Sequence, residues 1–202
     1  MRVIRKKLTK RKGFSLAETL IAILILLMVS SIVAAAVPTA SKVYMKTVDA
    51  ANAQVLLSTV MTELRNELSD ATIESPEDGA VEPTTTITYK NGNGGYRELS
   101  LVSTGDIDKR GILLTIRKLD PATGQITTST ASTDKRMLVN STAATGDLVV
   151  SYTGASFANG VLTFTGLSVT KMTKNSEGTV AEGPVLANCT SFAIRGLKQP
   201  NT

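Results

Sequence analysis

Hydrophobic and polar positions divide the chain sharply. A basic start gives way to an apolar run that is unbroken from Leu20 to Val29, is interrupted by Ser30 and Ser31, and resumes from Ile32 to Val37. The 19 residues from Thr19 to Val37 carry no charge. As a helix rising 1.5 Å per residue this run is about 28 Å long, close to the roughly 30 Å hydrocarbon core of a bilayer. Beyond Pro38 the pattern turns amphipathic. Tyr44, Val48, Ala51 and Val55, then Leu57, Met61, Leu64, Leu68 and Ala71, recur three and four residues apart, with Lys46, Asn52, Glu63, Arg65 and Glu67 on the other faces. This spacing predicts a helix with one stripe to bury, ending near Thr72 ahead of the turn sequence Ser75-Pro76-Glu77-Asp78-Gly79.

After residue 84 the pattern becomes that of strands. Thr84 to Lys90 and Tyr96 to Val102 flank Asn91-Gly92-Asn93-Gly94-Gly95, a hairpin signal because Asn and Gly accept positive φ. Gly111 to Lys118, Gln125 to Thr130, Arg136 to Asn140, Leu148 to Thr153, Val161 to Thr165, Leu167 to Met172 and Ser191 to Arg195 are further predicted strands. Asn159-Gly160 and Asn175-Ser176-Glu177-Gly178 are turn sequences. Short strands at close spacing predict an antiparallel sheet, so the expected fold class is α+β: a long N-terminal helix, half membrane-spanning and half amphipathic, packed on an antiparallel sheet head.

Composition narrows the chemistry. The 202 residues include no His and one Cys. Without His there is no Ser-His-Asp or Cys-His catalysis and no His-ligated metal. A single cysteine, Cys189, forms no internal disulfide and no multi-cysteine zinc site. The net charge of +5 is unevenly placed. Residues 1–13 hold seven of the 22 basic residues (Arg2, Arg5, Lys6, Lys7, Lys10, Arg11, Lys12) and no acid, which leaves 15 basic against 17 acidic residues in the remainder. The rest of the chain therefore has no electrostatic footprint for nucleic acid. The basic tract sits beside a spanning run, on the side that stays in the cytoplasm.

A basic tract before an apolar span fits a cleaved secretory signal, a plain signal anchor or a prepilin leader. The small residues Ala34-Ala35-Ala36 suit the first. Glu18 points elsewhere, because a carboxylate costs up to about 2.5–3.5 kcal/mol at the centre of a spanning helix and neither a signal peptide nor an anchor needs one. The stretch Lys12-Gly13-Phe14-Ser15-Leu16-Ala17-Glu18, followed by Thr19-Leu20-Ile21-Ala22-Ile23-Leu24, resembles the N-terminus of type IV pilins and type II secretion pseudopilins. The resemblance covers about 25 residues. It implies cleavage between Gly13 and Phe14 by a prepilin peptidase, N-methylation of Phe14, and use of Glu18 in filament assembly. Two features depart from the commonest family pattern: the leader of 13 residues is longer than the shortest ones, and Pro38 lies later than the helix-kinking proline of major pilins.

On this reading residues 1–13 are a leader, 14–37 a transmembrane and filament-core helix, 38–72 its amphipathic continuation and 73–202 a β-rich head. The expected role is a structural subunit, of the minor pilin or pseudopilin kind, with no enzyme activity and no cofactor. The implied partners are the prepilin peptidase and methyltransferase, other pilin or pseudopilin subunits, an assembly platform membrane protein and, before assembly, membrane lipid. The expected location is the cell membrane, single-pass with a cytoplasmic N-terminus, and then a cell-surface filament. A rival reading is a single-span protein whose outer β-domain is a receptor or hydrolase.

The head offers little chemistry of its own. Asp106-Ile107-Asp108 lacks third and fourth ligands at calcium-loop spacing. Lys109-Arg110 and Lys135-Arg136 read as surface charges, so a nucleic-acid partner, as in DNA uptake, has only those two pairs behind it. Cys189 reads as a small buried apolar residue. Asn140-Ser141-Thr142 and Asn188-Cys189-Thr190 match glycosylation sequons.

Overall fold

One helix of 53 residues, α1 (Leu16–Leu68), precedes every strand in the chain order. The structure is a computed structural model and describes residues 15–80, 82–120, 123–128, 131–139 and 147–199. The strands are β1 (Thr72–Ser75), β2 (Thr86–Lys90), β3 (Tyr96–Val102), β4 (Gly111–Leu119), β5 (Ile126–Thr128), β6 (Lys135–Met137), β7 (Leu148–Ser151), β8 (Gly154–Ala158), β9 (Val161–Lys174) and β10 (Val180–Arg195). The fold is α+β, a long N-terminal helix with antiparallel sheets. Two units divide between Lys46 and Thr47, so α1 contributes residues to both.

In the second unit the strands form two sheets. The first runs β1-β2-β3-β4-β5, with β6 also paired to β4. The second runs β10-β9-β7, with β8 also paired to β9. Register places Ile87 opposite Leu99 and Leu99 opposite Leu114, so alternate apolar residues of β2, β3 and β4 share one face. The core joins that face to Leu162, Phe164, Leu167 and Val169 of β9 and to the helix residues Ala53, Leu56, Leu57, Val60, Leu64 and Leu68. Tyr152 meets Phe164 edge-on at 5.4 Å, and Phe164 lies 6.2 Å from Phe192.

The helix buries a different stripe from the one predicted over its first half. Ala53, Leu56, Val60, Leu64 and Leu68 face the sheets, whereas Val55 is 63% exposed and Ala51 is exposed. At 100° per residue Tyr44, Val48, Ala51 and Val55 lie about half a turn away from Leu64. Ala53 is buried ahead of larger neighbours because it is in line with Leu56, Val60 and Leu64. The helix also ends earlier than predicted: Thr72 opens β1, a strand the sequence pattern did not reveal.

Three further differences come from turn residues. Val161 to Thr165 and Leu167 to Met172 form one strand, β9, because the pairing with β10 runs through Gly166 in one register. Gly166 has φ of 65°, and a Cβ there would overlap Thr153 Oγ1. β7 and β8 lie end to end along β9 in one register, separated by Tyr152 and Thr153. β10 begins well before Ser191 and contains Pro184, which an edge strand tolerates. By contrast the Asn159-Gly160 turn between β8 and β9 is as predicted, with φ of 52° and 71°.

Two sheet edges are covered by the chain itself. Along β8, Ala155 N–H donates to Thr84 O at 2.7 Å, Thr84 N–H donates to Ala155 O at 2.9 Å, and Gly79 N–H donates to Phe157 O at 3.0 Å. Along β1, Ile73 N–H donates to Lys198 O at 2.8 Å.

Candidate functional site

The candidate site is the start of α1, within the first unit. Gly13 and Phe14 lie outside the described residues; Glu18 lies within them, in the first helical turn. Ser15 precedes the helix as its cap. The Glu18 N–H donates to Ser15 O at 3.0 Å and to Ser15 Oγ at 3.2 Å, and the Thr19 N–H donates to Ser15 O at 3.2 Å. Ser-x-x-Glu is the spacing of a capping box, and it is legible in the sequence as Ser15-Leu16-Ala17-Glu18. The first-turn position also sets the Glu18 carboxylate at the positive end of the helix dipole.

From Leu16 to Lys46 every side chain is exposed. The helix is long and apolar enough to cross a membrane, with a mean hydropathy of 3.0 over its best window. Leu20 is 59% exposed and Leu26 65%. Three of its hydroxyls bond within the helix: Ser30 Oγ donates to Leu26 O at 2.7 Å, Ser31 Oγ to Met28 O at 2.8 Å and Thr39 Oγ1 to Ala35 O at 3.2 Å. Such bonds let a hydroxyl sit in an apolar surrounding without an unpaired donor. The helix continues through Pro38, whose ring removes one backbone donor from the ladder.

In the second unit a buried carboxylate ties α1 to the first sheet. Glu67, with a side chain 10% exposed, accepts from the Tyr89 hydroxyl at 2.8 Å and from the Arg97 guanidinium on one oxygen, and from Arg136 Nη2 at 3.4 Å on the other. Burial pushes the Tyr89 phenol well above the usual tyrosine range, and the Glu67 charge pushes it further. Burial alone would lower Arg97, but the Glu67 hydrogen bond and charge outweigh it and hold the guanidinium above its ordinary value. Burial likewise raises Tyr152, whose hydroxyl donates to Thr85 O at 2.6 Å. Lys171 of β9 pairs with Asp49 of α1. Asp49 and Glu67 stand five helical turns apart and so share one side of α1. Neither pairing was evident from the sequence, which showed Glu67 only on a polar face of the helix.

The remaining candidates are tied up locally. Asp106 lies 3.6 Å from Lys109 Nζ, Arg110 Nε donates to Gly105 O at 2.9 Å, and Arg136 serves Glu67. Cys189 is half-buried with its thiol directed at Ser191 O, 3.3 Å away. Among the described residues no three His, Cys, Asp or Glu side chains converge on a metal-sized point. Asn188 is exposed on β10, and Asn140 lies outside the described residues.

Residues 8–34 match the family model described as the prokaryotic N-terminal methylation motif. That motif is the signature of the type IV pilin and pseudopilin family. No curated protein and no solved structure matches the chain. The pilin-type motif takes in Gly13, Phe14 and Glu18 together with most of the apolar run. It implies a prepilin-type N-terminal helix, processing by a prepilin peptidase and assembly with other pilin subunits. The apolar helix and the motif together fit membrane anchoring and a surface filament.

Proposed function

We propose that the chain is a structural subunit, of the minor pilin or pseudopilin kind, of a type IV pilus-like filament or a type II secretion pseudopilus. A prepilin peptidase cuts between Gly13 and Phe14, and the new Phe14 amine is methylated. Residues 14–37 hold the precursor in the membrane and then enter the filament core, delivered by an assembly platform membrane protein. The head, residues 73–202, is carried outside.

The observation that carries this reading is an apolar helix with every side chain exposed from Leu16 to Lys46, opening on the acid Glu18 inside the methylation motif. In a membrane or a filament core, an unpaired carboxylate and an unpaired ammonium are both costly. A neighbouring subunit displaced along the axis brings its Phe14 amine to Glu18. The pair neutralises both charges and sets the stagger between subunits, a registry role for a buried ion pair. Methylation keeps the amine cationic while removing a donor. Exposed Val55, on the helix face turned away from the sheets, continues the apolar contact surface beyond the membrane segment.

The test is Glu18→Ala. Cleavage and membrane insertion should be unchanged, while recovery in sheared filaments should fall at least about tenfold, given that an orphaned buried charge costs about 3–5 kcal/mol. Normal recovery would remove Glu18 from assembly.

A further inference from the structure

We propose that the open edge of β10, from Ala187 to Arg195, is a strand-addition site, and that its occupant is an extended segment of the adjacent pilin-type head in the filament. The proposal rests on the filament reading above, which supplies the neighbour. Sheet edges expose unpaired backbone groups, and proteins protect them with proline, bulges, charge or a covering segment. Here β8 is covered by Gly79 and Thr84 and β1 by Lys198. The first half of β10 contains Pro184 and two bulges between Glu182 and Ala187. The second half has none of these protections. Ala187 to Arg195 pairs with Val169 to Val161 without a register break, and from Ala187 to Ile194 it bears no charge and no proline.

Hydrogen bonds on the far side of β9 fix which backbone groups point outward. Ala155 spends its N–H and C=O on Thr84, and Phe157 its C=O on Gly79, away from β9. Their partners Phe164 and Leu162 therefore turn toward β10 and bond Phe192 and Ile194. Between them, Thr163 and Thr165 turn toward β8, so Ala193 and Ser191 opposite them face away from the sheet, as does Arg195 opposite Val161. All three are exposed. The Cys189 thiol approaches Ser191 O at 3.3 Å.

A strand edge binds by backbone, so its ligand is an extended polypeptide whatever its side chains. The neighbour in a filament is a second head held at high local concentration, and the uncharged stretch puts no repulsion in its way. Helical symmetry has no two-fold, so the contact is heterologous: β10 meets a different segment of the next head.

The experiment is amide hydrogen exchange across residues 187–195 in intact filaments and in the detergent-extracted full chain. Pairing predicts exchange at Ser191, Ala193 and Arg195 slower by about tenfold or more in the filament. Equal exchange in the two states, whether fast or slow, overturns the proposal while leaving polymerisation through Glu18 standing. Ala193→Pro gives a second reading, since proline is accepted where an edge N–H faces outward. It should keep the thermal midpoint of the extracted chain yet lose the protection, whereas Ala193→Val keeps both. If Ala193→Pro destabilises the chain itself, the outward assignment of Ala193 is wrong and the proposal falls.

Discussion

Glu67 on α1 and Arg97 on β3 form an ion pair that the Tyr89 hydroxyl shares, joining the helix to the first sheet at a site where the carboxylate is 90% buried. The arginines are more open, 30% exposed for Arg97 and 60% for Arg136, so solvent takes up part of the loss when the acid is removed. Glu67→Ala is expected to destabilise the head by about 2–3 kcal/mol, below the full penalty of a deeply buried pair. Urea unfolding of the extracted chain measures it; a change under about 0.5 kcal/mol would make the pair ornamental.

Alkaline pH should act through the two buried tyrosines. Tyr89 and Tyr152 are both raised above the ordinary tyrosine value of 10.0 in the fold. The folded chain then holds these protons more tightly than the unfolded chain. Their contribution is complete below about pH 10 and is lost as pH climbs above it. Thermal midpoints from pH 7 to 11 should be flat in this respect at first and then fall. Tyr152→Phe should flatten the alkaline limb, and an unchanged limb in that variant would contradict the assignment.

The two faces of α1 predict opposite outcomes. Leu64 is fully buried, so Leu64→Ala should cost about 2–5 kcal/mol of head stability. Val55→Ala should change stability by no more than about 0.5 kcal/mol, because the side chain is 63% exposed. Its effect belongs to the polymer, as a lowered recovery in filaments. A large stability loss at Val55 would place the sheets on the wrong face of the helix.

The parts legible in the sequence were those written in local pattern. The apolar run, the hairpin at Asn91 to Gly95, the Asn159-Gly160 turn and the motif around Gly13, Phe14 and Glu18 all rest on neighbouring residues. What escaped depended on contacts between distant ones. Gly166 reads as a break in a strand, yet β9 runs through it in one register, close against Thr153. β10 was legible only from Ser191 to Arg195, because its earlier part contains Pro184, which lacks an N–H for the ladder and is held there at a sheet edge. Val55 outweighs Ala53 in hydrophobicity, but the side that faces the sheets is set by Leu56, Val60 and Leu64 together. Glu67 looks like any helix acid until β2, β3 and β6 bring Tyr89, Arg97 and Arg136 to it.

Gly13 has its own test. A residue entering a peptidase in extended form is best without a side chain, so Gly13→Trp should leave the uncut precursor in the membrane. A shortened product from that variant would move the cleavage point elsewhere.

The central claim is that Glu18 is tolerated in an apolar helix because the freed amino end of another subunit neutralises it, and this requires the chain to be cut. Mass analysis of the mature N-terminus tests that most directly. The account predicts a chain beginning at a methylated Phe14. An intact Met1, or a start near Val37 as for a secreted protein, would contradict it.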